Sequence, residues 1–306
     1  MAVPLTLTTD LTQLMQTYYD KLFLSRQKPI LIMEQFGQKR TIPPRSGKVI
    51  QFTKYTVLPK NTVALTEGEN PTGLTLSATS ITAQVSEYGD YTKISSLLSV
   101  TAFDPNISEK VQLFSDQCAL SSDYIVTTAA VATTTVQIAN GKATINNLEA
   151  TDVVNTLEIR KAVRTLKNNK ALRFNGYLIG VINPYSGFDL MGDDAFVEAK
   201  EYAGAGALFE GEYGKWMGVR FVETTEPYTE AGAITTVYHN LIFGKEAYGI
   251  IPLANVGEKK IYVKNPGPQD TSNPLDRFST CGWARTFTAK ILNNNWIVDL
   301  KSGASA

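Results

Sequence analysis

The chain has 306 residues, 43% hydrophobic and 19% charged, enough for one elaborate unit with a sizeable core. Its charged fraction lies below the roughly 25% usual for soluble domains. A chain that hides surface against its own copies reads this way, and so does a Thr-rich monomer. Lys plus Arg and Asp plus Glu stand at 29 each, and zero net charge argues against tight nucleic-acid binding as the main role.

Cys118 and Cys281 have neither metal-ligand spacing nor the number for a disulfide framework, and read as buried small apolar residues. The start, Met1 to Thr6, lacks the charged and apolar stretches of a signal peptide, and no apolar run approaches the ~20 residues of a membrane helix. The expectation is a protein made in a reducing cytoplasm.

The charges are segregated along the chain. Residues 21–60 hold Lys21, Arg26, Lys28, Lys39, Arg40, Arg45, Lys48, Lys54 and Lys60 against one acid, Glu34. Residues 61–159 carry eleven acids and three bases, 160–173 six bases and no acid, and 189–230 ten acids and three bases. A basic block near the N-terminus can bind phosphates. Basic and acidic blocks can equally meet across subunit contacts and steer assembly.

Residues 1–47 read as an arm. Leu11, Leu14, Met15, Tyr18, Leu22 and Phe23 fall at helical spacing, then Pro29, Pro43 and Pro44 interrupt regular structure. Residues 48–95 read as a long β-hairpin, with β-rich stretches at 48–58 and 81–88. Its tip holds Pro59, Asn61, Gly68, Asn70, Pro71 and Gly73 and far exceeds the two to five residues usual for hairpins. A long, far-reaching loop needs a partner to bury it.

A helix is expected over 104–135, capped by Asp104 with Pro105 at its first position. Ile107, Val111, Phe114, Cys118, Ser121 and Ile125 would form its apolar stripe. A second helix is expected over 152–170, with Asp152 at its start and Arg160, Lys161, Arg164, Lys167 and Lys170 toward its C-terminal end, matching the helix dipole. Tyr177 to Ile182 reads as a buried strand stopped by Asn183 and Pro184. Short strands follow at 218–222, 235–243 and 247–251. Strands at 283–291 and 296–300 flank Asn293, Asn294 and Asn295, a hairpin signature. The class is α+β.

Catalytic constellations are nearly absent. His239 is the sole histidine, so any Ser-His-Asp triad depends on it alone, and it reads as a strand or surface residue. Gly204, Gly206, Gly211 and Gly214 lack a phosphate-loop pattern and serve turns. Asp189, Asp193 and Asp194 lack calcium-loop spacing and suit helix capping near Phe196. No catalytic residue, metal or cofactor is expected.

The order arm, long hairpin, long helix, mixed region and C-terminal strands resembles the tailed-phage capsid subunit of the Hong Kong 97 type. Five stretches also resemble the coat family typified by coliphage N4: Val181 to Tyr185 with Phe188 to Leu190; Glu201 to Ala203 with Leu208 to Gly214; Gly218 to Thr224; Leu241 to Gly249; and Asn273 to Asp276 with Gly282, Trp283 and Ala289 to Asn293. They cover the chain from about 180 onward; the first half matches only in order of elements.

The resemblance implies a peripheral domain (96–151 and 255–306) with 104–135 as its spine helix, and an axial domain (152–254) around the five- and six-fold axes. The loop 48–95 would lie on a neighbouring subunit and the arm 1–47 would cross a subunit boundary. The implied function is self-assembly, through hexamers and pentamers, into an icosahedral head around double-stranded DNA. Portal, scaffolding and decoration proteins are the implied further partners, and no membrane is. Arg40, Arg45, Lys48, Lys54, Lys60, Glu67 and Glu69 are the candidate inter-subunit contacts; Arg40 and Arg45 could instead face DNA. An encapsulin-like compartment shares the fold, and a monomeric carbohydrate-binding or hydrolase domain is the alternative from a different class.

Overall fold

The computed structural model describes residues 31–71, 73–101, 106–197, 214–254, 259–264, 275 and 277–305. The apolar stretch 11–23, the helix start at Asp104 and Pro105, residues 201–213, and Asn273, Pro274 and Asp276 lie outside them.

A short helix α1 (Met33–Phe36) and strand β1 (Gln38–Lys39) precede a hairpin of β2 (Val49–Tyr55) and β3 (Ala78–Gln84). Strand β4 (Ser86–Ser95) leads through α2 (Ser96–Thr101) to the long helix α3 (Asn106–Val131). Strand β5 (Val136–Ile138), helix α4 (Thr156–Asn168), strand β6 (Leu178–Ile182) and helix α5 (Pro184–Met191) follow. The remainder is strand-rich: β7 (Lys215–Trp216), β8 (Val219–Glu223), β9 (Thr229–Ala231), β10 (Thr236–Phe243), β11 (Tyr248–Pro252), β12 (Lys260–Lys264), β13 (Phe278–Ile291) and β14 (Ile297–Ser302).

Two sheets organise the body. In the five-stranded sheet β13 is the spine, with β4 along one edge and β12 then β11 along the other; β1 adds to β11 in parallel. The seven-stranded sheet runs β5-β14-β10-β6-β8-β7, with β9 on β10. Both faces of its centre are buried, which is why Leu178 to Ile182 reads as an unbroken apolar run. One face packs on α4 and α5 through Ile159, Val163, Leu166 and Leu190. The other shares a core with the five-stranded sheet and α3, where Val181, Leu241 and Phe243 meet Val126, Tyr248, Ile250 and Phe287.

Several boundaries differ from expectation, each for a local reason. The hairpin closes at Gln84: after Val85 the chain leaves β3 and β4 pairs with β13, so residues 86–95 belong to the body. The strands flanking Asn293 to Asn295 are not a hairpin. A 3₁₀ turn at Asn294–Trp296 sends β14 into the seven-stranded sheet, while β13 stays in the other. Helix α4 starts later than Asp152 because Asn155 is its cap, accepting from Glu158 N at 3.0 Å. Asn183 and Pro184 open α5 as well as ending β6: Asn183 Oδ1 accepts from Ser186 N, and Pro184 takes the first turn.

The 26 residues of α3 span about 39 Å. Its buried face runs through Val111, Ser115, Cys118, Ala119, Ser122, Val126 and Ala130, rotated from the expected stripe. Phe114, Ser121 and Ile125 flank that face, half-buried. Small residues at 115, 118, 119 and 122 let the helix lie close to β13, which outweighs the pull of the larger side chains.

The sheets divide the chain differently from the division into 96–151, 152–254 and 255–306. β5 and β14 join the strands of 178–243, and β11 joins β13.

Candidate assembly surface

Among the described residues the hairpin has little support beyond its base. Seven residue pairs hold β2 to β3, from Val49 opposite Gln84 to Tyr55 opposite Ala78. An isolated two-stranded hairpin is marginal in water. Its base is anchored where Ile50, Phe52 and Ala83 pack with Ile42, Val85 and Ile251. Beyond Tyr55 every described residue to Ser77 is exposed. Val57 is 87% exposed, Val63 78%, Leu65 70% and Leu76 71%. So many bare apolar side chains on one projection mark an interaction surface.

The candidate contact residues fall into two groups. Arg40 and Lys54 line a cleft of about 480 Å³ at the hairpin base with Phe52, Glu246 and Asn293. Lys54 Nζ donates to Asn293 Oδ1 at 3.0 Å, and the Arg40 guanidinium lies 5.6 Å from the Phe52 ring centroid. Both therefore tie the hairpin to the body. Arg45 is exposed in a turn at φ 64°, and Lys48 is exposed, with its carbonyl accepting from Val85 N. Lys60, Glu67 and Glu69 sit on the tip, with no side-chain partner among the described residues.

A surface that sequence reasoning missed lies on the outward face of the five-stranded sheet, a cleft of about 750 Å³. Gly89, Gly282 and Ala284 form its floor, and Tyr91 and Tyr262 flank it. A Cβ on Gly282 would fall 2.6 Å from Asp90 O, so only glycine fits between these strands. Lys93 and Lys264, both exposed, make its far end basic, and Lys93 lies 5.0 Å from the Phe278 ring. Alternation along β4, β12 and β13 is the signal that could have revealed it.

The end of the expected arm also departs from the reading. Residues 31–42 are clamped to their own body. Asp123 of α3 accepts from the amides of Ile32, Met33 and Glu34 at 3.1, 2.8 and 3.4 Å, and Tyr248 Oη donates to Met33 O at 2.7 Å. Burial pushes the Asp123 carboxyl up to about 6 despite those donors. Burial also pushes Glu34 up, but Arg285 and Lys259 outweigh it and hold the carboxyl below its ordinary value. Lys259 Nζ stands 3.0 Å from Glu34 Oε2.

His239 is on strand β10 but buried. Its Nδ1 lies 2.8 Å from Asp299 Oδ2 and its Nε2 3.5 Å from Glu230, with the Tyr228 ring edge-on. Among the described residues no serine or cysteine bonds to it. Asp193 caps as expected: Oδ1 accepts from Ala195 N, and Oδ2 from Thr156 N and Oγ1. Cys118 and Cys281 form no disulfide and are buried together between α3 and β13, and burial pushes the Cys281 thiol up to about 11. Among the described residues no cluster of metal-ligating side chains occurs, and no helix is long and apolar enough to cross a membrane.

No protein-family model matches the chain, and no curated protein does. Solved structures do. The capsid of cyanophage P-SCSP1u is 18% identical with a TM-score of 0.70, over 90% of this chain and 89% of that one. The capsid of cyanophage Pam1 is 16% identical with a TM-score of 0.69, over 92% of each. The head of Helicobacter pylori bacteriophage KHP40 is 14% identical with a TM-score of 0.65, over 87% of each. At such coverage and TM-score the chain has the Hong Kong 97-like fold of tailed-phage capsid subunits.

Proposed function

We propose that this chain is a major capsid protein that self-assembles into the icosahedral head of a tailed phage around its double-stranded DNA. The observation that carries the reading is the hairpin, whose exposed apolar tip is covered by none of the described residues. A second copy provides the cover. The groove between Tyr91 and Tyr262 is open to an extended apolar segment, and its Lys93 and Lys264 complement Glu67 and Glu69 of an incoming tip. Each exposed ion pair contributes about 0–1 kcal/mol, so the charges set register while repetition of the contact around a closed shell supplies strength.

The virion is then the protein's location, and its role is structural. Lys48, Lys60 and Arg45, on the exposed face of the hairpin base and tip, are left for neighbours or for weak contact with DNA. Portal, scaffolding and decoration proteins are further partners in this reading. The stretches from Val181 onward support a coat of the coliphage N4 type within the fold.

Expression of the chain alone, with size-exclusion chromatography and electron microscopy of the heavy fractions, tests the proposal. Shells, tubes or capsomer rings are expected. Shells that package a protein cargo and exclude DNA would point to a cellular compartment instead, and a strict monomer at high concentration would point to a binding domain.

A further inference from the structure

Helix α3 carries a second apolar stripe, turned away from its buried face, with Tyr124 at its end stacked on Tyr228 at 6.0 Å between ring centroids. Leu113, Leu120 and Tyr124, spaced by seven and four residues, share one face and are 66, 40 and 54% exposed. A helix apolar on both sides is normally covered on both. The stripe runs into a cleft of about 380 Å³ lined by Ile32, Leu120, Asp123, Tyr124, Glu223 and Glu226 among others. Ile32, the second described residue, lines this cleft beside the stripe. Glu223 and Glu226 are exposed and have no basic partner among the described residues.

We propose that the chain's own N-terminal residues 11–28 dock on this stripe. Leu11, Leu14, Met15, Tyr18, Leu22 and Phe23 would cover Leu113, Leu120 and Tyr124, and Arg26 and Lys28 would meet Glu223 and Glu226. Length, tether and charge each select this occupant. Residues 11–23 wound as a helix span about 20 Å, and the stripe from 113 to 124 spans about 17 Å. Residues 24–30 reach at most about 25 Å, enough to place the segment anywhere along it. So short a tether sets an effective concentration in the millimolar range, which favours the chain's own segment over a free copy's. The six named residues of 11–23 match the apolar stripe, and the basic pair that follows matches the acidic rim.

Hydrogen exchange of the full-length unassembled subunit tests this. Amides of 11–23 are expected to exchange more slowly than in the isolated peptide. Leu113→Lys with Leu120→Lys should abolish that protection and leave the amides of 115–130 protected. Free-peptide rates in the parent protein, or protection that survives the double substitution, would overturn the proposal. Protection that grows with protein concentration would overturn it too, by assigning the stripe to another copy's arm. Electron microscopy of the same samples reports shell formation separately, so failure of docking and failure of the capsid reading are distinguishable.

Discussion

Arg285 of β13 forks onto Glu34 of α1 across 251 positions of chain, Nη2 to Oε1 at 2.7 Å and Nη1 to Oε2 at 3.2 Å. Lys259 adds a third charge, and the Arg285 guanidinium also lies 4.0 Å from the Phe287 ring centroid. This buried cluster fastens the segment that leads into the hairpin to the sheet that carries the groove. Two exposed loops would slide against each other; a fork of this geometry holds α1 in one register.

Glu34→Ala leaves Arg285 and Lys259 buried without their counter-charge. The expected loss is about 3–5 kcal/mol, because an unpaired buried charge costs more than the pair contributed. Urea unfolding of the unassembled subunit measures it. A loss below about 1 kcal/mol would mean that water reaches the cluster freely.

The two carboxylates of the clamp impose opposite pH dependences. Glu34 is held below its ordinary 4.5, so its stabilisation is complete above that value and disappears as pH falls through its lower folded value. Asp123 moves from 3.8 up to about 6, so between those values the native state holds the extra proton and stability falls as pH rises. Asp123→Asn keeps an oxygen for the three amides and removes the second titration. Its urea midpoint should change less than the parent's between about pH 4 and pH 6. An unaltered slope would place the titration elsewhere.

Glu67→Lys with Glu69→Lys should impair assembly while the subunit stays folded, since exposed substitutions usually shift stability by less than about 0.5 kcal/mol. Adding Lys93→Glu and Lys264→Glu should restore shells by reversing both sides of the contact. Normal shells from the first pair would remove the tip charges from the account. Failure of the fourfold variant to recover would move their partner away from this groove.

Arg40 and Arg45 stand in different surroundings, and the proposed reading separates their effects. Arg40 stands against Phe52 at the hairpin base, so Arg40→Ala should weaken assembly. Arg45 is exposed in a left-handed turn, so Arg45→Gly relieves backbone strain and removes only the charge. Its expected effect is confined to DNA retention, measured as nucleic acid per purified particle. Equal assembly defects in both variants would contradict the distinction.

The elements that sequence showed well are those whose signal is local. Leu178 to Ile182 is apolar throughout because both of its faces are buried, and the hairpin tip stands out by its length and its turn residues. Partners distant in sequence were hidden. The Asn293 to Asn295 turn looks the same whether it returns a strand to its neighbour or sends it to another sheet; only the pairing of β14 with β10 decides. Glu34 looked like a lone acid in a basic block, since nothing local links it to Arg285. The groove was invisible for the same reason: Gly89 and Gly282 become neighbours of Tyr91 and Tyr262 only when β4, β13 and β12 align.

The most direct test is a cryo-EM reconstruction of particles assembled from this chain, read at residues 56–77. The account predicts that the tip lies in the Tyr91–Tyr262 groove of an adjacent subunit, with Glu67 and Glu69 near its Lys93 and Lys264. A tip folded back on its own body, or projecting into solvent on a complete shell, would contradict it.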